Sequence, residues 1–303
     1  MDTSTTIKRF ALALTASLPL AVSAATPLDN PERNMPLGAL APIVLSSTIL
    51  APNIVMAFRR WLENGSWQGD ISEYDVSSTG ALTTSVNYAG TTPTNPGDNP
   101  ANWSALVTFK AAEDADPNYF KTGRKIITWD GTRQVAFTWD QTTIGASNMA
   151  LIDPLSIGKD SSPILDHIRG DRSNEHPAGE LRHRVSILGD IINSKPVYVA
   201  APEGNRPEDG YSAWAALRQN RAPRIYVGAN DGMLHVFNAV NGKEIYAYIP
   251  SMLMPNLRKI ADVPHHHTYF VDGSLTVRDA YFNNSGTTGT NARWRTVLVG
   301  GLG

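Results

Sequence analysis

The feature that most narrows what this chain can fold into is the run Arg224–Pro250, RIYVGANDGMLHVFNAVNGKEIYAYIP. It holds three short apolar segments separated by Asn230-Asp231-Gly232 and Asn241-Gly242. Asx side chains bond to their own backbone and glycine accepts positive φ, so such pairs between apolar runs specify tight hairpins. A three-stranded antiparallel meander is therefore predicted. Side chains alternate along a strand, which sets Leu234 and Val236 on one face and Met233, His235 and Phe237 on the other. Both faces are largely apolar. That predicts a sheet covered on both sides, as in a propeller blade between neighbours.

Similar grammar recurs earlier in the chain. Asp130-Gly131 separates KIITW from TRQVAFTW, a second hairpin signal with β-branched and aromatic arms. The series Gly69, Ile71, Tyr74, Asp75, Gly80 resembles Gly232, Leu234, Phe237, Asn238, Gly242, the second copy being one residue shorter. Repeated blades are the expectation this favours. Helical signals are sparse: Ser161–Arg169 has a Ser-Pro start with Ile164, Leu165 and Ile168 at helical spacing, and Tyr211–Gln219 is a second short candidate. The polar stretch 91–102, TTPTNPGDNPAN, reads as a loop.

At the N-terminus, Lys8 and Arg9 precede an apolar run, Phe10–Val22, followed by small residues through Ala24. The run is too short to span a bilayer and reads as a secretory signal peptide covering 1–24. A second apolar stretch, Leu40–Phe58, approaches spanning length, but Pro42, Pro52 and Asn53 interrupt it. Two strands, Ile43–Leu45 and Ile54–Phe58, fit it better, and no transmembrane anchor is expected. The chain has no cysteine, so outside the cytoplasm it must rely on burial and strand pairing rather than disulfides. A net charge of −2 gives no basic footprint for nucleic acid or an anionic membrane.

No catalytic motif stands out. Asp114, Asp116 and Asn118 match three positions of a calcium loop, but Tyr119 replaces the turn glycine and Lys125 the bidentate glutamate. His265-His266-His267 would alternate faces and not converge on one ion, so a surface tract is expected. Asp272 and Asp279 read as acids that hold strand ends. Asp166, His167 and Arg169 are expected on an exposed helical face. The sequence thus predicts no catalytic, cofactor-binding or metal residue.

Several blocks together resemble the C-terminal propeller of PilC/PilY-type type IV pilus biogenesis proteins. They are LRHRVSILGDIINSKPVYV (Leu181–Val199), the meander through Ser251, HTYFVDGSLTVRDAYF (His267–Phe282) and WRTVLVGGLG (Trp294–Gly303), preceded by GRKIITWDG and ILDHIRGDRSNE. The resemblance implies an all-β, partial β-propeller over 61–303. At roughly 40–50 residues per blade this stretch supports about four or five blades, fewer than the family's ring. It also implies a pilus biogenesis and adhesion factor, exported to the periplasm, outer membrane surface or pilus tip. Such a factor would support pilus extension, twitching motility and attachment, with pilin or minor pilins and a host or abiotic surface as partners. PNIVMAF resembles the first strand of the von Willebrand factor A-like domain of many members. Arg59-Arg60-Trp61 comes after it in place of that domain's metal motif, so 25–60 is expected to be a remnant. The family's calcium loop lies beyond VLVGGLG, so the resemblance implies no calcium ligand on any residue here. The meander also resembles one repeat of quinoprotein dehydrogenases that bind pyrroloquinoline quinone, and a noncatalytic outer-membrane assembly scaffold is the other alternative.

Overall fold

Hydrogen bonding between antiparallel neighbours builds most of the sheet structure. The computed structural model describes residues 43–49, 53–61, 67–79, 82–83, 102–202, 206–207, 210–282 and 293–303. The expected signal peptide and the loop at 91–101 lie outside these residues.

The interrupted apolar stretch folds as an antiparallel hairpin of β1 (Ile43–Ile49) and β2 (Asn53–Trp61), with Ile49 opposite Ile54. Both strands run longer than the sequence suggests, and Asn53 opens β2 rather than lying between the strands. β2 pairs with β3 (Trp67–Val76) from Asn53↔Asp75 to Trp61↔Trp67. The segment before residue 61 therefore shares a sheet with the chain beyond it. Two short strands, β4 (Leu82–Thr83) and β5 (Trp103–Ser104), both pair with β3.

The predicted meander is the centre of a second sheet. It comprises β9 (Arg224–Gly228), β10 (Leu234–Asn238) and β11 (Glu244–Tyr248), all antiparallel. β8 (Val197–Val199) adds to one edge. The predicted hairpin of β6 (Ile126–Trp129) and β7 (Gln134–Ala136) adds to the other, giving the order β7-β6-β11-β10-β9-β8. β6 meets β11 in parallel, Ala247 opposite Ile126, so a segment far upstream in the chain completes the blade. The Thr128 hydroxyl reinforces that seam by donating to the Ile249 carbonyl at 2.8 Å.

What covers the sheet differs from the all-β expectation. Ile225, Val227 and Phe237 pack with Ile71, Trp103 and Phe109, which belong to the first sheet and to α1 (Ala105–Ala115). Ile126, Met233 and Ala247 pack with Met149 and Ile152 of α3 (Gly145–Ile152) and with Ile164, Leu165 and Ile168 of α4 (Pro163–Arg169). A 3₁₀ segment, Ser251–Ile260, adds Leu253, Met254 and Leu257 to that core. Fully burying a side chain such as Phe237 contributes about 2 kcal/mol. Helices thus cover this face where a neighbouring blade was expected. The single-turn helix α2 (Tyr119–Thr122) is too short to do so alone, and Phe120 is its buried residue. Among the described residues no closed ring of blades forms; the remaining sheet is a two-stranded ribbon of β12 (Leu275–Phe282) and β13 (Arg293–Gly300).

Both predicted helices are present. Ser162 caps α4 by accepting from the Leu165 amide at 3.1 Å, with Pro163 in the first turn, and α5 spans Tyr211–Ala216. The repeat is only half structural. Asn238 ends β10 and Asp75 is the next-to-last residue of β3, but Gly69 lies inside β3 while Gly232 is a turn residue with φ +86°. A Cβ at Gly69 would sit 2.2 Å from the Gly189 carbonyl oxygen, so that glycine serves close backbone approach rather than a turn.

The turn at Gly242 (φ +66°) is where the two sheets lock. A Cβ there would lie 2.3 Å from the Trp103 ring. The Trp103 indole in turn donates to the Ala239 carbonyl at 3.2 Å. Gly242→Ala combines backbone strain with overpacking, and urea unfolding should register a loss of about 2–3 kcal/mol; a loss under about 0.5 kcal/mol would show that the sheets do not depend on this contact.

Candidate functional site

The meander carries its polar chemistry in its interior. Glu244 opens β11 and its carboxylate, 1% exposed, receives the Arg124 guanidinium in a two-point contact, Nε to Oε2 and Nη2 to Oε1, both 2.8 Å. The same Oε1 accepts from His235 Nδ1 at 2.8 Å, and His235 Nε2 lies 3.0 Å from the Asp231 carboxylate. With a carboxylate on each ring nitrogen, both nitrogens must donate, so His235 is an imidazolium. Burial alone would lower its pKa, but Asp231 and Glu244 outweigh burial and hold it up at about 9. Burial would likewise raise Glu244, yet Arg124 and His235 bring it down to about 2.

The ladder continues at both ends. Arg124 Nη1 donates to the Arg169 carbonyl at 2.7 Å, and the Arg169 guanidinium donates to the Phe137 and Phe120 carbonyls at 2.6 and 2.7 Å. At the other end, Asp231 accepts from the Gly189 amide at 2.8 Å. Beside it, Asp190 accepts from Asn230 at 2.8 Å and from His267 Nε2 at 2.9 Å. One polar seam thereby ties β6, α4, the meander, the 187–191 segment and the strand-free segment at 265–271.

The residues singled out from sequence fall in different places. Asp166, His167 and Arg169 are buried, not on an exposed face, because α4 is packed on all sides and Arg169 is needed to satisfy loop carbonyls. His167 Nδ1 accepts from Arg184 Nη2 at 3.2 Å, and burial together with Arg184, Arg182 and Arg172 pushes its pKa down to about 2. The histidine tract does not converge: His265 faces the Lys259 carbonyl, His266 is exposed and His267 joins the seam. His267 is thus part of the framework rather than a surface tract. Asp272, before β12, accepts from the Asn193 amide at 2.9 Å, and Asp279, in the middle of β12 rather than at a strand end, accepts from the Tyr211 and Thr296 hydroxyls at 2.8 and 2.7 Å. Asp114 pairs with Lys110, and Asp116 accepts from the Asn118 amide and the Thr122 hydroxyl as it opens α2. Among the described residues no group of three or more His, Cys, Asp or Glu is arranged to hold a metal ion.

Sequence reasoning missed Arg124, His235 and Glu244. A histidine and a glutamate on facing strands of a predicted hairpin were a usable signal; an arginine more than a hundred residues upstream was not. On the opposite face of the meander a cleft of about 400 Å³ opens toward the ribbon, lined by Tyr226, Leu234, Tyr246, Tyr248, Leu298 and Leu302. Burial and the neighbouring Tyr226 push the Tyr246 phenol up to about 12, so it stays protonated. The cleft offers apolar surface and phenol hydroxyls but no nucleophile, and the seam's ionised groups are engaged with one another.

Residues 188–303 match the PilY1 beta-propeller domain. A type IV pilus biogenesis factor PilY1 homolog of Xylella fastidiosa is 36% identical over 249 residues, covering 79% of this chain. The type IV pilus biogenesis factor PilY1 of Pseudomonas aeruginosa strain PAK is 34% identical over 259 residues, covering 78%. The chain is of the PilY1 type. It spans 17% of the Xylella relative and 19% of the Pseudomonas one. No solved structure matches it. The PilY1 match begins at Leu188, so Asp190, Asp231, His235 and Glu244 fall inside it and Arg124 outside. The seam therefore joins the matched PilY1 region to upstream chain.

The seam sets a pH profile. His235, with its folded pKa raised, contributes stability that is complete below about pH 6.5 and lost as pH rises through about 9. His167, held neutral, contributes the reverse: its stability is complete above about pH 6.5 and is lost on acidification toward its folded value of about 2. Glu244 adds to the acid loss as pH falls from 4.5 toward about 2. Denaturant unfolding should therefore show a stability maximum between about pH 6 and 7, and His235→Gln should flatten the alkaline limb. An alkaline limb equally steep in that variant would remove His235 from the account.

Proposed function

We propose that this PilY1-type chain belongs to an exported type IV pilus biogenesis and adhesion factor that acts by docking, without turnover. The observation that carries the reading is its 36% identity, across 79% of its length, to a type IV pilus biogenesis factor homolog. The internal chemistry supports a non-catalytic role: the ionised residues of the meander are buried and paired, and the cleft presents tyrosines and aliphatic side chains. In this reading the chain contacts pilin or minor pilins in the outer envelope or at the pilus tip. It biases the balance of extension and retraction toward extension and supports attachment to host or abiotic surfaces and twitching. Nucleic acid has no place in it. No helix among the described residues is long and apolar enough to cross a membrane.

Deleting the gene should abolish surface pili and twitching, and removing the retraction motor as well should restore the pili. Normal piliation in the single deletion would refute the reading. We further propose that the chain works without a bound cofactor or calcium of its own. A chelator should then leave its thermal midpoint unchanged, whereas a drop of several degrees that calcium reverses would place a cation site within it.

A further inference from the structure

Among the described residues, one face of the β12–β13 ribbon has neither cover nor counter-charge. Its strands pair from Leu275↔Gly300 to Phe282↔Arg293. Alternation places Val277, Asp279 and Tyr281 with Leu298, Thr296 and Trp294 on the inner face. There Trp294 packs against Tyr211 and Trp214, and Asp279 is spent on two hydroxyls. The outer face carries Arg278, Phe282, Arg293, Arg295 and Val299, all exposed.

Among the described residues of the ribbon no acid shares that face. Asp279 points inward, and the connecting sequence 283–292, NNSGTTGTNA, contains none. Arg278, Arg293 and Arg295 form no ion pair with any described residue. The Arg278 guanidinium falls back on the neighbouring Val277 carbonyl at 3.0 Å, and that of Arg295 lies 5.8 Å from the Phe282 ring centre. Arg293 and Arg295 are two apart on one strand, and Arg278 is diagonal to Arg295 across the ladder. Like charges so placed on one sheet face repel. At the two ends of this arginine row the face exposes Val299 at 64%, beyond Arg278, and Phe282 at 42%, opposite Arg293.

We propose that this outer face docks a partner protein segment in which carboxylates alternate with apolar side chains. The planar guanidinium fork matches a carboxylate in two-point contact, and the partner's apolar side chains would cover Phe282 and Val299. A polyanion or an anionic lipid surface fits less well. Those partners draw on a positive field over the whole molecule, whereas this chain carries a net charge of −2 and the cationic character is confined to three side chains with apolar flanks. The partner need not be a pilus component.

The test is fluorescence anisotropy on the full chain with a labelled peptide of alternating glutamate and valine. Its glutamine counterpart, duplex DNA and phosphatidylglycerol vesicles serve as competing probes. The glutamate peptide should bind, weaken as salt rises, and lose roughly tenfold in affinity in the Arg278→Gln/Arg293→Gln/Arg295→Gln variant. The corresponding triple lysine variant should fall between the two, and Phe282→Ser should weaken binding with the arginines intact. If the triple glutamine variant does not fold, Arg278→Gln and Arg295→Gln alone should each weaken binding measurably. Failure of the glutamate peptide to bind, equal binding by the glutamine peptide, unchanged binding in the arginine variants, or tighter binding to DNA or vesicles would each overturn the assignment.

Discussion

The rest of the structure depends on one buried carboxylate. Glu244 is shared between Arg124, which enters from upstream of β6, and His235, the middle of the meander. Removing three charged side chains from water costs several kcal/mol each, and their attraction offsets that cost only when geometry is good and the remaining donors are satisfied. Here they are satisfied: Arg124 spends its third donor on the Arg169 carbonyl, and His235 has a carboxylate on each side. Such a seam adds less net stability than its Coulomb energy suggests. Its effect is on register. A one-residue slip of β6 along β11 would separate the guanidinium from Glu244, leaving the buried Arg124 without its carboxylate and Glu244 with His235 alone.

That constraint explains how a meander comes to be completed by a parallel strand from a remote part of the chain. Antiparallel neighbours need only a tight turn, whereas a parallel partner must be brought from a distance and held. Arg124, immediately before β6, does the holding, and Thr128 repeats it farther along by bonding to Ile249. The two glycine contacts act in the same sense. Gly69 against the Gly189 carbonyl and Gly242 against Trp103 let the first sheet come close enough to share a core with the blade.

The local parts of the fold were legible in the sequence and the distant ones were not. Asn241-Gly242 and Asp130-Gly131 specify their hairpins through turn chemistry that needs no tertiary help. Ser162-Pro163 specifies the start of α4 for the same reason. α1, α3 and the 3₁₀ segment gave weaker signals. α3 has no side-chain cap, the 3₁₀ segment contains Pro255, and α1 depends on Asp70 of another strand accepting from the Leu106 amide as well as on its own Ser104. Their helicity is set by the sheet they cover. Misplacing Asp166, His167 and Arg169 on an exposed face has the same origin: spacing reports which side chains share a helix face, not what that face meets. Of the seam, the half within one hairpin was within reach of pairing rules. The Arg124 half was not, since nothing local marks which arginine is buried.

As a PilY1-type protein, the chain thus presents a blade whose ionised groups are paired with one another in its interior. The measurement that tests this account most directly is a double-mutant cycle between Arg124 and Glu244, Arg124→Met with Glu244→Gln, read by urea unfolding near pH 6.5. The account predicts that the two residues couple by at least about 2 kcal/mol, each single variant costing nearly as much as the pair. Additive losses, with coupling under about 0.5 kcal/mol, would contradict it.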